Sequence, residues 1–171
     1  MHNTYVIEQS SMETLRSKYV LLDTNFLIDA SMFRQEVGNL IDQLNSLGCS
    51  LLTTRSVILE ALGGTNNEND LDDKLAYLEI VFGRPFNELE RLPIERRLPD
   101  KAELLSFSRQ CNKFATTDFE LFLMLEKYKS SGILLISRNH KDFTSKICNR
   151  TGFITLLGNK EIRTYGIYQA K

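Results

Sequence analysis

Histidine is almost missing from this sequence, which carries only His2 and His140. A metal centre built from imidazoles is thereby excluded. Cysteine is scarce too: Cys49, Cys111 and Cys148 are odd in number, widely spaced and without a short paired interval. That argues against a disulfide framework or a cysteine zinc site and suits reduced thiols. No apolar run approaches the roughly 20 residues of a membrane-spanning helix, and the N-terminus lacks the charged-then-apolar order of a secretion signal. Charge of one sign is also missing, with 21 Lys plus Arg against 22 Asp plus Glu. The broadly basic surface of proteins that coat nucleic acid is therefore absent, although a local basic rim is still allowed. There is no internal repeat, low-complexity tract, glycine-rich phosphate loop or Walker motif, and Gly63-Gly64 follows a helical stretch as its stop signal. This leaves little support for a doubly wound domain that binds a small phosphorylated ligand. The 171 residues suffice to bury one core unaided and read as a soluble cytoplasmic protein.

The chain is organised around Tyr19-Val20-Leu21-Leu22-Asp23-Thr24-Asn25. An apolar run suited to a buried strand ends in a carboxylate, a hydroxyl and an amide, and a helix-compatible Phe26-Leu27-Ile28 follows. Open α/β sheets carry their functional groups just beyond such strand ends, so Asp23 is a site candidate; Asp23 or Thr24 equally suits the cap of the next helix. Before this strand, residues 1 to 18 read as an N-terminal extension in which Ser10, Ser11 and Glu13 suit a short helix. After it, Phe33, Val37, Leu40, Ile41, Leu44 and Leu47 are spaced as one face of a helix that Gly48 ends. A short strand over Cys49 to Thr54 and a helix capped by Thr54 or Ser56 follow, and then a helix from Leu71 to Phe82.

All three prolines, Pro85, Pro93 and Pro99, fall between Gly83 and Pro99, which predicts an irregular connection with a short strand at Arg91 to Ile94. A helix through Ala102 to Cys111 comes next. Thr117-Asp118-Phe119-Glu120 matches a capping box ahead of an apolar helix to Tyr128, which Gly132 ends. The strand Ile133 to Ile136 runs into Ser137-Arg138-Asn139-His140-Lys141-Asp142. A short helix near Thr144 to Asn149, a strand from Phe153 to Leu157 and a polar tail complete the chain. Strands alternating with helices predict a parallel α/β sheet with right-handed crossovers.

In such a sheet Asp23, Glu60, Asp118 and the cluster from Asn139 to Asp142 can converge at one carboxyl edge. Carboxylates about 4 Å apart repel by roughly 4 kcal/mol at an effective dielectric near 20, so a shared proton or a cation is needed. Oxygen ligands without Cys or His favour Mg2+ or Mn2+, and a site of that kind does phosphoryl chemistry. Thr24, Asn25 and Ser137 lie where they can orient the carboxylates. Arg55, Arg138 and Lys141 flank the acids and are candidates to grip phosphates.

Taken in order, Leu21-Leu22-Asp23-Thr24-Asn25, Thr54 to Glu60, Asp118 opening an apolar helix, and Leu135 to Asn139 with Asp142-Phe143 resemble a PIN domain. Within that family the likeness is to the VapC-type toxin ribonucleases, and it covers about residues 19 to 157. The resemblance implies a single nuclease domain over residues 19–171, a three-layer α/β/α fold with a small central parallel sheet. It also implies a metal-dependent endoribonuclease, the toxin of a type II toxin-antitoxin pair or a housekeeping nuclease. Its metal ligands and catalytic acids would be Asp23, Glu60 and Asp118, with the fourth position at Asn139 or Asp142. In the family that fourth position is usually acidic directly after the strand, where this chain has Asn139. Asn25, Arg55, Ser137, Arg138 and Lys141 would meet substrate. RNA, an antitoxin protein and a second copy of the chain are the implied partners. A weakened module that binds RNA or protein without turnover is the alternative.

Overall fold

The computed structural model describes residues 4–63, 65, 67–83, 116–158 and 161–171. Within them the chain is mixed α/β, with a six-stranded sheet in the order β1-β5-β6-β4-β2-β3. The strands are β1 (Tyr5–Ile7), β2 (Tyr19–Leu22), β3 (Ser50–Leu52), β4 (Leu134–Ser137), β5 (Cys148–Leu157) and β6 (Ile162–Ala170). The helices are α1 (Gln9–Leu15), α2 (Thr24–Met32), α3 (Arg34–Ser46), α4 (Arg55–Ala61), α5 (Glu68–Phe82) and α6 (Thr116–Lys127).

Strands β3, β2 and β4 are parallel, in the register Leu21 opposite Leu52 and Leu22 opposite Ile136. They are the expected apolar runs: Val20, Leu21, Leu22 and Leu134 through Ile136 are all buried, as strands covered on both faces must be. The other three pairings, β4 with β6, β6 with β5 and β5 with β1, are antiparallel. The sheet is therefore mixed and not parallel throughout as the sequence predicts, and the reason is local. Residues 158–171, read as a polar tail, contain Ile162, Thr164, Tyr165, Ile167 and Tyr168, a β-branched and aromatic series that forms β6. A short connection returns the chain beside β5, which forces an antiparallel pair. The expected helix near Thr144 to Asn149 is a set of turns leading into β5.

Residues 1–18, read as an extension, supply α1 and the edge strand β1, which pairs with β5 from Tyr5 opposite Leu156 to Ile7 opposite Ile154. A β-bulge lies between Arg150 and Gly152, where a side chain at Gly152 would run into the Ser11 hydroxyl. Ser11 Oγ instead accepts from the Phe153 amide at 3.3 Å, tying α1 to β5.

The helix ends follow the sequence closely. Thr54 caps α4 by accepting from Val57 N at 3.3 Å, and Gly48, Gly83 and Gly132 take the left-handed conformation at turns. Helix α6 starts at Thr116, so Thr117 lies inside its first turn and not at a cap. The expected strand at Arg91 to Ile94, the helix through Ala102 to Cys111 and the proline-containing connection lie outside the described residues. Among the described residues no helix is long and apolar enough to cross a membrane.

Candidate functional site

Parallel pairing of β2 with β4 sets the site. With Leu22 opposite Ile136, Asp23 comes just past the end of β2 beside Ser137, the last residue of β4, and Asp23 N donates to Ile136 O at 3.2 Å. Asp23 is only 3 % exposed and is the cap of α2. Its Oδ1 accepts from Thr24 N at 2.6 Å. Its Oδ2 accepts from Asn25 Nδ2 at 2.6 Å and from Ser137 Oγ at 2.5 Å. Burial raises the Asp23 carboxyl above its ordinary range, these donors pull it down, and Glu60 pushes it up again.

Strand β3 brings in the next acid. It feeds α4, which packs on α2, and Glu60 accepts from Thr24 Oγ1 at 2.7 Å. Asp118, in the first turn of α6, is 9 % exposed. Asp23, Glu60 and Asp118 line one cleft of about 220 Å³ together with Thr24, Asn25, Ile28, Thr117 and Asn139. The Asp118 carboxyl is pushed up to about 6, first by burial and then by Asp23 and Asp142, with a smaller push from Glu60. Asn139 works against this by donating to it.

At the fourth position the amide of Asn139 lies between two acids. Its Nδ2 donates to Asp118 Oδ1 at 3.2 Å and to Asp142 Oδ2 at 2.6 Å, while its Oδ1 accepts from Asp142 N at 3.3 Å. Expected to offer oxygen to a cation, Asn139 presents nitrogen to carboxylates instead. Asp142 meets the site through Asn139 and does not line the cleft. Neutral residues thus thread the four carboxylates into one network: Thr24 joins Asp23 to Glu60, and Ser137 accepts from Asn139 N at 2.8 Å to join Asp23 to the other pair.

A hard divalent cation fits this donor set by chemistry, since the cleft offers carboxylate, hydroxyl and amide groups without sulfur or imidazole, and among the described residues no Lys or Arg pairs with Asp23, Glu60 or Asp118. The carboxylates are held apart by their hydrogen bonds: among the described residues no three acidic, His or Cys side chains are gathered closely enough to enclose an ion.

The residues expected to meet substrate divide. Ser137 is fully buried, so a direct substrate contact gives way to a hold on Asp23. Asn25 uses both ends of its amide, donating to Asp23 and accepting from Arg138 N at 3.0 Å. Arg55 begins α4 and Lys141 lies in the turn after β4; both are exposed. Arg138 Nε lies 3.1 Å from Asp29 Oδ2. Asp29, the lone charge in the apolar stretch Phe26 to Ala30, carries no motif that marks it in the sequence. It is 1 % exposed, accepts from Tyr165 Oη at 2.5 Å and has Arg163 Nε 3.6 Å from its Oδ1. The Tyr165 hydroxyl, buried against this carboxylate, is held far above its ordinary range.

Compared with known proteins, the chain matches no family model, no curated protein and no solved structure.

Proposed function

We propose that this chain is a Mg2+- or Mn2+-dependent endoribonuclease of the PIN type, built on a three-layer α/β/α arrangement whose working part is the parallel trio β3-β2-β4. The observation that carries this reading is the meeting of Asp23, Glu60 and Asp118 on one cleft, with the Asp118 carboxyl raised to about 6 by burial and by its acidic neighbours. Negative charge concentrated without a counter-ion favours binding of a cation.

Asp23 and Asp118 would hold the ion and Glu60 would complete the pocket. When bound, the metal supplies Lewis acidity at the phosphate and eases deprotonation of water. The chain's own residues do the rest. Ser137, Asn25 and the Thr24 amide fix both oxygens of Asp23, so its carboxylate meets a ligand in one orientation. Thr24 Oγ1 holds Glu60, which can orient a water for attack in line with the leaving oxygen. Arg55 and Lys141 flank the acidic cleft along the chain as contacts for neighbouring phosphates. As the toxin of a type II pair, the protein would be a homodimer neutralised by a small antitoxin covering the cleft.

One observation favours a second reading, a module that binds RNA or protein without turnover: the Asn139 amide occupies the space between Asp118 and Asp142. The two readings separate in one experiment, incubation of a structured RNA pool with the protein in Mg2+, in Mn2+ and in chelator, alongside Asp23→Asn and Glu60→Gln. Metal-dependent cleavage lost in both folded variants supports the nuclease. RNA binding by a folded, metal-supplied protein that leaves the pool intact moves the conclusion to the binding module.

A further inference from the structure

Beside the acidic cleft a second, wider groove of about 450 Å³ is lined by Asn25, Arg138, Asn139, His140 and Thr164. It shares Asn25 and Asn139 with the cleft, so a chain leaving one enters the other. We propose that this groove is a phosphate subsite for the RNA strand, with Arg138 as the contact and the buried Asp29 as its positioning residue. The proposal rests on the nuclease reading and adds where the strand lies.

Arg138 is built for such a task. Its side chain is 31 % exposed, yet its Nε is buried without a hydrogen bond and ion-pairs with Asp29 at 3.1 Å, so charge attraction holds the guanidinium from behind while part of it remains open to solvent. Its backbone N is fixed as well, by Asn25 Oδ1. Asp29 cannot follow solvent motion, because Tyr165 and Arg163 hold its two oxygens from β6. Arg163 has a second carboxylate partner in Glu161 and stacks at 5.7 Å over the Phe33 ring. Arg138 has no second carboxylate partner among the described residues. A phosphate would supply that partner, and a fixed guanidinium meets phosphate oxygens with less loss of side-chain freedom than a mobile one.

Charge alone and positioning give opposite expectations for one substitution. Asp29→Asn removes a negative charge next to Arg138. If Arg138 acted only through its field, RNA would bind more tightly; if Asp29 aims the guanidinium, binding weakens despite the more positive groove.

The test is anisotropy of a labelled, unstructured oligoribonucleotide in Ca2+ buffer across a salt series. Cleavage in Mg2+ and Mn2+ and thermal unfolding are followed in parallel. Arg138→Gln is expected to weaken binding about tenfold and to lower the slope of log affinity against log salt by about 0.7, the loss of one phosphate contact on a single strand. Arg138→Lys keeps the slope and loses affinity, because it keeps the charge and not the fork. Asp29→Asn, if folded, weakens binding severalfold. An unchanged slope and affinity in Arg138→Gln, or tighter binding in Asp29→Asn, overturns the proposal while a cleaving wild type leaves the nuclease reading standing. A wild type that neither binds nor cleaves overturns both. Should Asp29→Asn not fold, full affinity in Arg138→Lys overturns the positioning role.

Discussion

Asn139 donates one amide nitrogen to two acids, Asp118 at 3.2 Å and Asp142 at 2.6 Å. A neutral donor thus stands between the two carboxylates and offsets part of the push that Asp142 exerts on Asp118.

Asn139→Asp replaces that donor with a third charge. Unit charges about 4 Å apart repel by roughly 4 kcal/mol at an effective dielectric near 20, which the protein would relieve in part by protonating one group. In chelator the melting temperature should fall by roughly 5 °C at pH 7.5 and by less at pH 5. Mn2+ should raise it more in the variant than in the wild type. An equal Mn2+ response in both would mean that position 139 does not face the ion.

Asp118 gives the pH dependence. Its carboxyl titrates near 6 in the folded chain against an ordinary 3.8, so the unfolded chain gives up this proton first as pH rises. Stability is therefore lost between about pH 4 and 6 and is level above, by on the order of 2 kcal/mol. Asp118→Asn should match the wild type at pH 4 and exceed it by that amount at pH 7.5 in urea melts without metal, with cleavage abolished. A variant no more stable at pH 7.5 would show that the acid is not under this strain.

Ser137→Ala leaves Asp23 Oδ2 with Asn25 alone and strips Asn139 N of its acceptor. The cost is about 1–3 kcal/mol for the buried groups left short of partners. Cleavage should lose turnover roughly tenfold with KM little changed, since Ser137 is buried and reaches substrate only through Asp23. A change confined to KM would place it in the substrate path instead.

Gly166→Ala puts a methyl group within 2.5–2.6 Å of the Tyr168 ring. Tyr168, whose Oη lies 2.5 Å from His140 Nδ1, must then shift, and overpacking of this kind costs about 1–3 kcal/mol. Thermal unfolding together with the His140 ring signals in an NMR spectrum would show both effects. Unaltered spectra would mean that the ring is not fixed there.

The parts of the fold visible in the sequence are those where one face or both are dry. Val20 to Leu22 and Leu134 to Ile136 are buried on both faces and read as plain apolar runs, and Thr54 was legible as a cap from residue type alone. Strand β6 escaped because Arg163, Thr164 and Gln169 dilute its apolar face, so its pattern imitates a solvated tail until β5 is placed beside it. For the site, Asp23 and Asp118 were legible as carboxylates at helix starts, whereas Glu60, expected early on its helix, stands in the last turn of α4. Asp29 was not legible: its meaning comes from Arg138, Arg163 and Tyr165, which lie more than a hundred residues away in sequence. The direction of the Asn139 amide is equally invisible in one dimension, since it depends on where Asp118 and Asp142 stand.

Strand β6, the latest of the six in chain order, lies between β4 and β5. During synthesis β2 leaves the ribosome roughly 140 residues ahead of it, an interval of about 7–30 s at ~5–20 residues per second. For nearly all of that time Asp29 lacks both Tyr165 and Arg163, and the apolar β4, which emerges about 25 residues before β6, cannot be shielded on the side that β6 will cover for about 1–5 s. A nascent chain is thus without the assembled Asp29-Arg138 groove until the β5-β6 hairpin arrives. The same delay leaves an open strand edge for a chaperone to guard.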